Sequence, residues 1–320
     1  MIRLAAFVLL LTASLCVQAQ PFPSRSVKFV VPASAGGATD NVARSLAARL
    51  TEIWGQPVVV ENRPGATQII GAEHVAKAAP DGYTLLVSEA ATWVITPHFR
   101  KDLPFDGMRA FTPVTVLVRF PWVIAVHSSV PAATFPELVA YARAKPGMLS
   151  YGSFGLGSSG HISVDYLKKL LGIDILHVPY KGAAPAVADL LTGQIQMMMV
   201  TPLLVEPHAR TGKLRLLAAV TRERIPRLPD LPTVSESGVP GYEAGTWFAL
   251  VGPAGMPRHV TNLLYAEVKR VMNEPAFKDR YVEKQWFEVV ANTPDEFAAY
   301  LKSEYDRWEK VIKLSGVKLE

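Results

Sequence analysis

The sequence predicts an α/β protein of two domains, each a central sheet flanked by helices, and three observations lead there. Short β-branched or aromatic runs alternate along the chain with segments whose apolar residues recur every three or four positions. The opening unit over Val27–Arg44, a strand, a glycine loop and a helix start, is repeated over Leu149–Gly172. The chain of 320 residues also exceeds what one hydrophobic core ordinarily serves.

Met1–Ala19 carries a single basic residue, Arg3, then the apolar run Leu4–Leu11, then Val17-Gln18-Ala19 with small residues where a signal peptidase reads. It is expected to be a secretory signal peptide over residues 1–19, too short in its apolar core to span a membrane. Cys16 is the only cysteine, and Leu15 stands before it where a lipoprotein signal would place a small residue. The exported chain is therefore expected to rely on core burial rather than disulfides.

Val27–Val31 reads as a strand, and Val42, Leu46, Leu50 and Ile53 as one face of a helix that Gly55 and Pro57 stop. Val58–Val60 is a second strand, which makes the opening a βαβ unit. A short helix near Ala72–Ala78, the turn Pro80-Asp81-Gly82 and a strand Tyr83–Ser88 follow, ending in the candidate loop Glu89–Trp93. Phe111–His127 holds two β-rich runs broken by Pro121, and the chain is expected to leave the first domain there. The helix Phe135–Ala144 begins with a capping box of Thr134 and Glu137. Further βα units are read at Leu149–Gly172, Ile175–Leu191 and Ile195–Arg210, then a strand Leu214–Val220 before the proline-rich stretch Ile225–Pro240. The strand Thr246–Val251 is read as the return crossing. Helices Arg258–Met272 and Ala276–Lys284, a strand Phe287–Val290 and a capped helix from Thr293 complete the chain. The expected domains are thus 20–121 with 247–320, and 122–246.

The formal charge of +5 is a mild excess that agrees with an anionic ligand. Nucleic acid is not an expected partner, because the densest basic group, Arg222, Arg224 and Arg227, lies in the proline-rich loop. The seven histidines include no pair at metal-ligand spacing, so neither a metal nor a cofactor is expected. Met197–Met199 reads as core strand rather than a copper site.

The loop Ala33–Asp40 follows a strand and opens a helix. Gly36 and Gly37 put no Cβ before a ligand, and the unpaired N–H groups of a helix start suit a carboxylate or phosphate. An ordinary βα turn that binds nothing fits the same residues. Asp40 can cap that helix through its carboxylate, or orient loop groups that a ligand uses. Gly155, Gly157 and Gly160 match a dinucleotide fingerprint, but the motif lies past the chain's midpoint in an exported protein, and Ser158-Ser159 suit a small anion better. A hydrolase is a weaker alternative, because neither Ser158 nor Ser159 has glycines two residues away on both sides. His161, in a first helical turn, is expected at the surface or in a cap. Glu89 would repel a carboxylate, so it is expected to point to solvent unless the ligand also carries a cationic group.

The blocks Val31-Pro32, Gly36-Gly37-Ala38-Thr39-Asp40, Gly55–Gly65, Ala79–Leu85, His177–Gly182 and Pro229–Val234 resemble, in order, the Bug-type substrate-binding proteins of the tripartite tricarboxylate transporter family. The resemblance implies a periplasmic-binding-protein-like fold of the Venus-flytrap, type II-like kind. It implies a monomeric periplasmic protein, not an enzyme, that captures a small organic carboxylate for a membrane permease; a ligand sensor for a membrane signalling protein is the alternative. The implied site comprises Ser34, Ala35, Gly36, Gly37, Thr39 and Asp40 from the first loop, with Ser153, Gly155, Leu156, Gly157, Ser158 and Ser159 from the second. Ser88, Glu89, Trp93, Pro179, Tyr180 and Val200 line the remainder. Leu156, Trp93 and Val200 lead to the expectation of a monocarboxylate or aromatic acid rather than citrate.

Overall fold

A computed structural model describes residues 22–65, 68–100 and 102–317. The expected signal peptide and Cys16 lie outside the described residues. The chain forms two sheets. In the first, β1 (Val27–Val31) lies between β2 (Val58–Asn62) and β3 (Thr84–Glu89), parallel to both. β10 (Gly245–Pro253) runs antiparallel between β3 and β4 (Phe111–Pro121), and the short β11 (Glu288–Val289) borders β4. In the second, β6 (Ser150–Ser153) is parallel to β7 (Leu176–Pro179) and β8 (Met197–Val200), while β5 (Val123–His127) runs antiparallel between β8 and β9 (Leu214–Ala219).

Strand direction places the site. β3 and β4 both oppose β10, so both run the same way as β1. Only Trp122 separates the end of β4 from the start of β5. The C-terminal ends of β1, β2, β3 and β4 therefore share the edge at which the chain crosses. β5 starts at that edge and opposes β8 and β9, so β8, its parallel neighbour β6, and β9 end there as well. The loops after β1, β3, β6 and β8 are thus gathered along one line, the place where open α/β sheets bind ligands.

Periodicity accounts for most elements. The helices Phe135–Ala144 and Arg258–Met272 stand where the apolar spacing puts them. Thr134 accepts the Glu137 N–H as its cap, and Thr293 and Glu296 close a reciprocal capping box. Gly55, at φ 63°, ends the first helix in a left-handed turn. Met197, Met198 and Met199 are buried, as core strand should be. Where an open loop was predicted after Glu89, the chain instead forms two helical turns, Ala91–Val94 and Thr96–Phe99.

The halves are joined by more than the crossing strands. Ile162, on the helix Ser159–Leu171, is fully buried in a cluster with Trp93 and Trp247 of the first half and Phe297 and Trp308 of the C-terminal helix Pro294–Ser315. Arg227 of the proline-rich stretch stacks 3.9 Å over Trp286 and donates to the Glu283 carbonyl at 2.7 Å. Among the described residues no helix is long and apolar enough to cross a membrane.

Candidate functional site

The first loop is held from below. Gly36 adopts φ +83°, a left-handed conformation that glycine enters without steric cost. Its N–H donates to Asp40 Oδ2 at 2.8 Å, and Arg44 Nε donates to the same oxygen at 2.8 Å. Asn62, at the end of β2, donates to Asp40 Oδ1 at 2.8 Å and to the Ala33 carbonyl at 3.0 Å. Burial would raise the Asp40 pKa, but the bonds from Arg44, Gly36 and Asn62 outweigh it and hold the carboxyl below its ordinary range. Of the two roles predicted for Asp40, the structure does not show the helix cap; Asp40 instead orients the loop in front of it. Gly37 is the N-cap, with no side chain bonded there. Among the described residues the N–H groups of Ala38, Thr39 and Asp40 at the start of the Ala38–Trp54 helix have no partner, and Ser34, Ala35, Gly36 and Gly37 are exposed before them.

The second loop has a parallel construction. Gly157 N–H donates to Nδ1 of His161, four residues on, at 3.0 Å. His161 Nε2 lies 3.2 Å from Asp165 Oδ2, and Asp165 also receives Tyr151 Oη at 2.9 Å and Lys168 Nζ at 2.9 Å. Burial pushes the Asp165 carboxyl up, and these donors pull it well below the usual carboxylate range. The His161 ring stacks on His177 at 3.9 Å, and His177 Nε2 meets Ser153 Oγ at 2.7 Å. Burial, then the neighbouring His161, lowers the His177 pKa to about 4. His161 is buried, so the surface position predicted for it is not found.

The serine hydroxyls of this loop are occupied internally. Ser153 Oγ donates to the Gly155 carbonyl at 3.1 Å, and Ser158 Oγ does so at 2.8 Å while accepting the His161 N–H at 3.3 Å. The loop spends its own N–H groups at Gly155, Gly157 and Ser158. Among the described residues, those of Leu156, Ser159 and Gly160 remain available. Leu156 is 71% exposed at the loop's tip. Beside it, Tyr180 donates to the Ser153 carbonyl through its N–H at 3.2 Å and to Asp189 through its hydroxyl at 2.7 Å, and Pro179 is exposed.

The end of β3 departs most from expectation. Glu89 is half-buried rather than turned to solvent; it accepts Thr246 Oγ1 at 3.1 Å, with the Gln68 amide near it. Desolvation raises its pKa. Ser88 is fully buried and bonds Gln68 Oε1 and Thr92 Oγ1. Trp93 is also fully buried, stacked on Trp247 at 5.6 Å, with its indole N–H unpartnered among the described residues. Val200 is fully buried among Val123, Ala186 and Val205. Neither side chain lines the opening, because the helical turn after Glu89 rolls Trp93 into the core and β8 is covered on both faces. With both gone, the predicted preference for a monocarboxylate or aromatic acid over citrate keeps only Leu156 of its three supports.

Asn62, Gln68 and Thr246 stand at this edge without having been predicted for the site, while Thr92 lies within the predicted loop Glu89–Trp93 and His177 opens the block His177–Gly182. Thr201, directly after β8, where the family often has a polar pair, has a buried hydroxyl with no partner among the described residues. The position after a strand ending at the shared edge was the available signal for it. A cavity of about 880 Å³ lies elsewhere, behind the crossing, lined by Arg227, Lys269 and Trp286, and holds none of the predicted site residues.

Comparison with known proteins identifies this arrangement. Residues 42–317 match the model described as tripartite tricarboxylate transporter family receptor. The chain belongs to that receptor family. BugT of Bordetella pertussis is 33% identical over 305 residues, covering 95% of this chain and 93% of its own. An R. palustris protein solved with adipate is 36% identical, with a TM-score of 0.81 over 93% of this chain and 99% of that one. The periplasmic binding protein BugD is 34% identical, with a TM-score of 0.77 over 93% of this chain and 100% of that one. The receptor family thus shares the two-sheet, periplasmic-binding-protein fold seen here, and it is a family of binding proteins rather than enzymes.

Proposed function

We propose that the protein is an exported, periplasmic receptor that holds a small carboxylate between two domains and presents it, as a monomer, to a tripartite-type membrane permease. The observation that carries this reading is the pair of glycine loops at one shared edge. Each opens a helix, and each has a side chain four residues on that ties a glycine N–H back, leaving other backbone donors for an anion. A relative of the same fold was solved with adipate, which agrees with a carboxylate ligand. The proposed division, 20–121 with 247–320 against 122–246, is supported by the way the strands fall into two sheets. Closure is driven by the ligand's greater affinity for the closed state.

Gly37→Val tests the loop. A Cβ there meets only the Ser34 carbonyl, at 3.5 Å, and the φ of −74° suits any residue, so the fold is expected to persist while the side chain fills the space before the helix start. Calorimetry against a carboxylate panel is expected to show binding lost, with the circular dichroism spectrum unchanged. An unchanged dissociation constant removes the loop from the site.

A further inference from the structure

Glu89 is the group at this edge that the reading above leaves unused. It ends β3, the strand paired with β1. Neighbouring strands lie about 4.8 Å apart, so the carboxylate and the free N–H groups behind Gly37 stand at adjacent strand ends. Among the described residues its hydrogen-bond partner is the neutral Thr246 hydroxyl, its other polar neighbour is the neutral Gln68 amide, and no cation lies beside it.

Its position is also held firmly. Gln68 Oε1 lies 2.8 Å from both Ser88 Oγ and Thr92 Oγ1, which holds the amide beside the end of β3. Gln68 does this from φ 75°, a conformation a residue with a Cβ adopts at some cost. A carboxylate withdrawn from water with only neutral donors around it is left without a counter-charge. Its desolvation is of the kind that a bound cation relieves.

We propose that the ligand is a carboxylate that also carries a cationic nitrogen, and that Glu89 is the residue that selects for that nitrogen. The inference rests on the carboxylate-receptor reading. The backbone donors of the two loops take the ligand's carboxylate, and its ammonium donates to the open side of Glu89. Water is excluded on closure, where a charge-assisted hydrogen bond gains strength. A second carboxylate in the ammonium's place would face Glu89 as a like charge.

The test is calorimetry with matched ligands: 6-aminohexanoate, adipate and hexanoate in one series, and 4-aminobutyrate, glutarate and butyrate in another. In at least one series the amino compound is expected to bind about ten- to hundredfold tighter than its partners, the worth of a hydrogen bond to a charged group. Glu89→Gln, which keeps shape and removes charge, is expected to bring that ratio near one. Glu89→Asp, which withdraws the charge by one methylene, is expected to keep part of it, and melting curves establish that both variants fold. Preference for the dicarboxylates, or a ratio that survives in Glu89→Gln, overturns the assignment of Glu89 and leaves the receptor reading standing. Failure of every carboxylate to bind the wild-type protein overturns the receptor reading itself.

Discussion

Asp40→Asn separates positioning from charge in the first loop. The Asp40 side chain is 1% exposed and accepts from Gly36, Arg44 and Asn62, each at 2.8 Å. An asparagine there must turn its NH₂ toward one of these donors. Turned to the Oδ2 side it faces both Gly36 and Arg44, so the Asn62 side is the less costly choice. Asn62 cannot flip to accommodate it, because its amide nitrogen also serves the Ala33 carbonyl and its oxygen accepts Arg44 at 2.8 Å. One buried donor is left unpaired, worth about 1–3 kcal/mol. The ion pair with the half-exposed Arg44 adds only some tenths of a kcal/mol, about the value of an exposed pair. Urea unfolding at pH 7 is expected to show a loss of about 2 kcal/mol with an unchanged denaturant slope. Removing a negative charge would by itself favour an anionic ligand, whereas loosening Gly36 would weaken it. Carboxylate affinity is expected to fall. A stability loss under about 0.5 kcal/mol, with affinity unchanged or raised, refutes the positioning role.

The remaining expectations concern the second loop and the core. His177 has a folded pKa of about 4, against an ordinary value near 6.5, so the unfolded chain takes up the proton first and stability falls as pH drops between those values. Allowing for its partial exposure, the loss is about 1–2 kcal/mol, and a His177→Asn variant followed by denaturant titration over that window is expected not to show it. Asp165, also held below its ordinary pKa, acts in the same direction, but the stability it contributes is lost only at still lower pH, below the ordinary aspartate range. Trp93→Phe removes a buried, unpartnered N–H along with part of a stacked pair, so thermal unfolding is expected to change by about 1 kcal/mol or less. Ligand affinity in that variant is expected to stay at the wild-type value, and a tenfold loss would return Trp93 to the cleft.

Much of the fold was legible because the information was local. Helices such as Phe135–Ala144 announce themselves by apolar spacing and caps, and the strand–glycine–helix units by composition. Pairing is not local. The insertion of β10 between β3 and β4 depends on residues more than a hundred positions apart, and no period in Gly245–Pro253 records it. Side-chain direction fails for the same reason. Val200 ends a run, Met197–Val200, that is buried on both faces, so alternation carries no signal of which face meets the cleft. Trp93 was misplaced because the turn Ala91–Val94 is stabilised by the cluster it packs into rather than by its own sequence. The serine hydroxyls looked like ligand donors, yet Ser153 and Ser158 are used within the loop, which only the loop's own conformation determines.

The two loops use one device with two acceptors, and the difference has consequences. In each, a glycine N–H is tied to a side chain four residues later, and that side chain is braced in turn by a partner four residues beyond: Asp40 by Arg44, His161 by Asp165. A carboxylate acceptor brings negative charge toward an anion site, and Arg44 with Asn62 offsets it. An imidazole acceptor brings none while neutral, so the second loop needs no such compensation, but it accepts only while Nδ1 is unprotonated. With its proton on Nε2, aimed at Asp165, His161 has the tautomer that serves both bonds. The first loop thus keeps its shape wherever Asp40 is ionised, while the second depends on a neutral ring stacked against a second ring. On the proposed reading, the carboxylate is fixed by backbone groups whose geometry is set from behind, which leaves Glu89, at the neighbouring strand end, free to differ in charge without disturbing the anion's own donors.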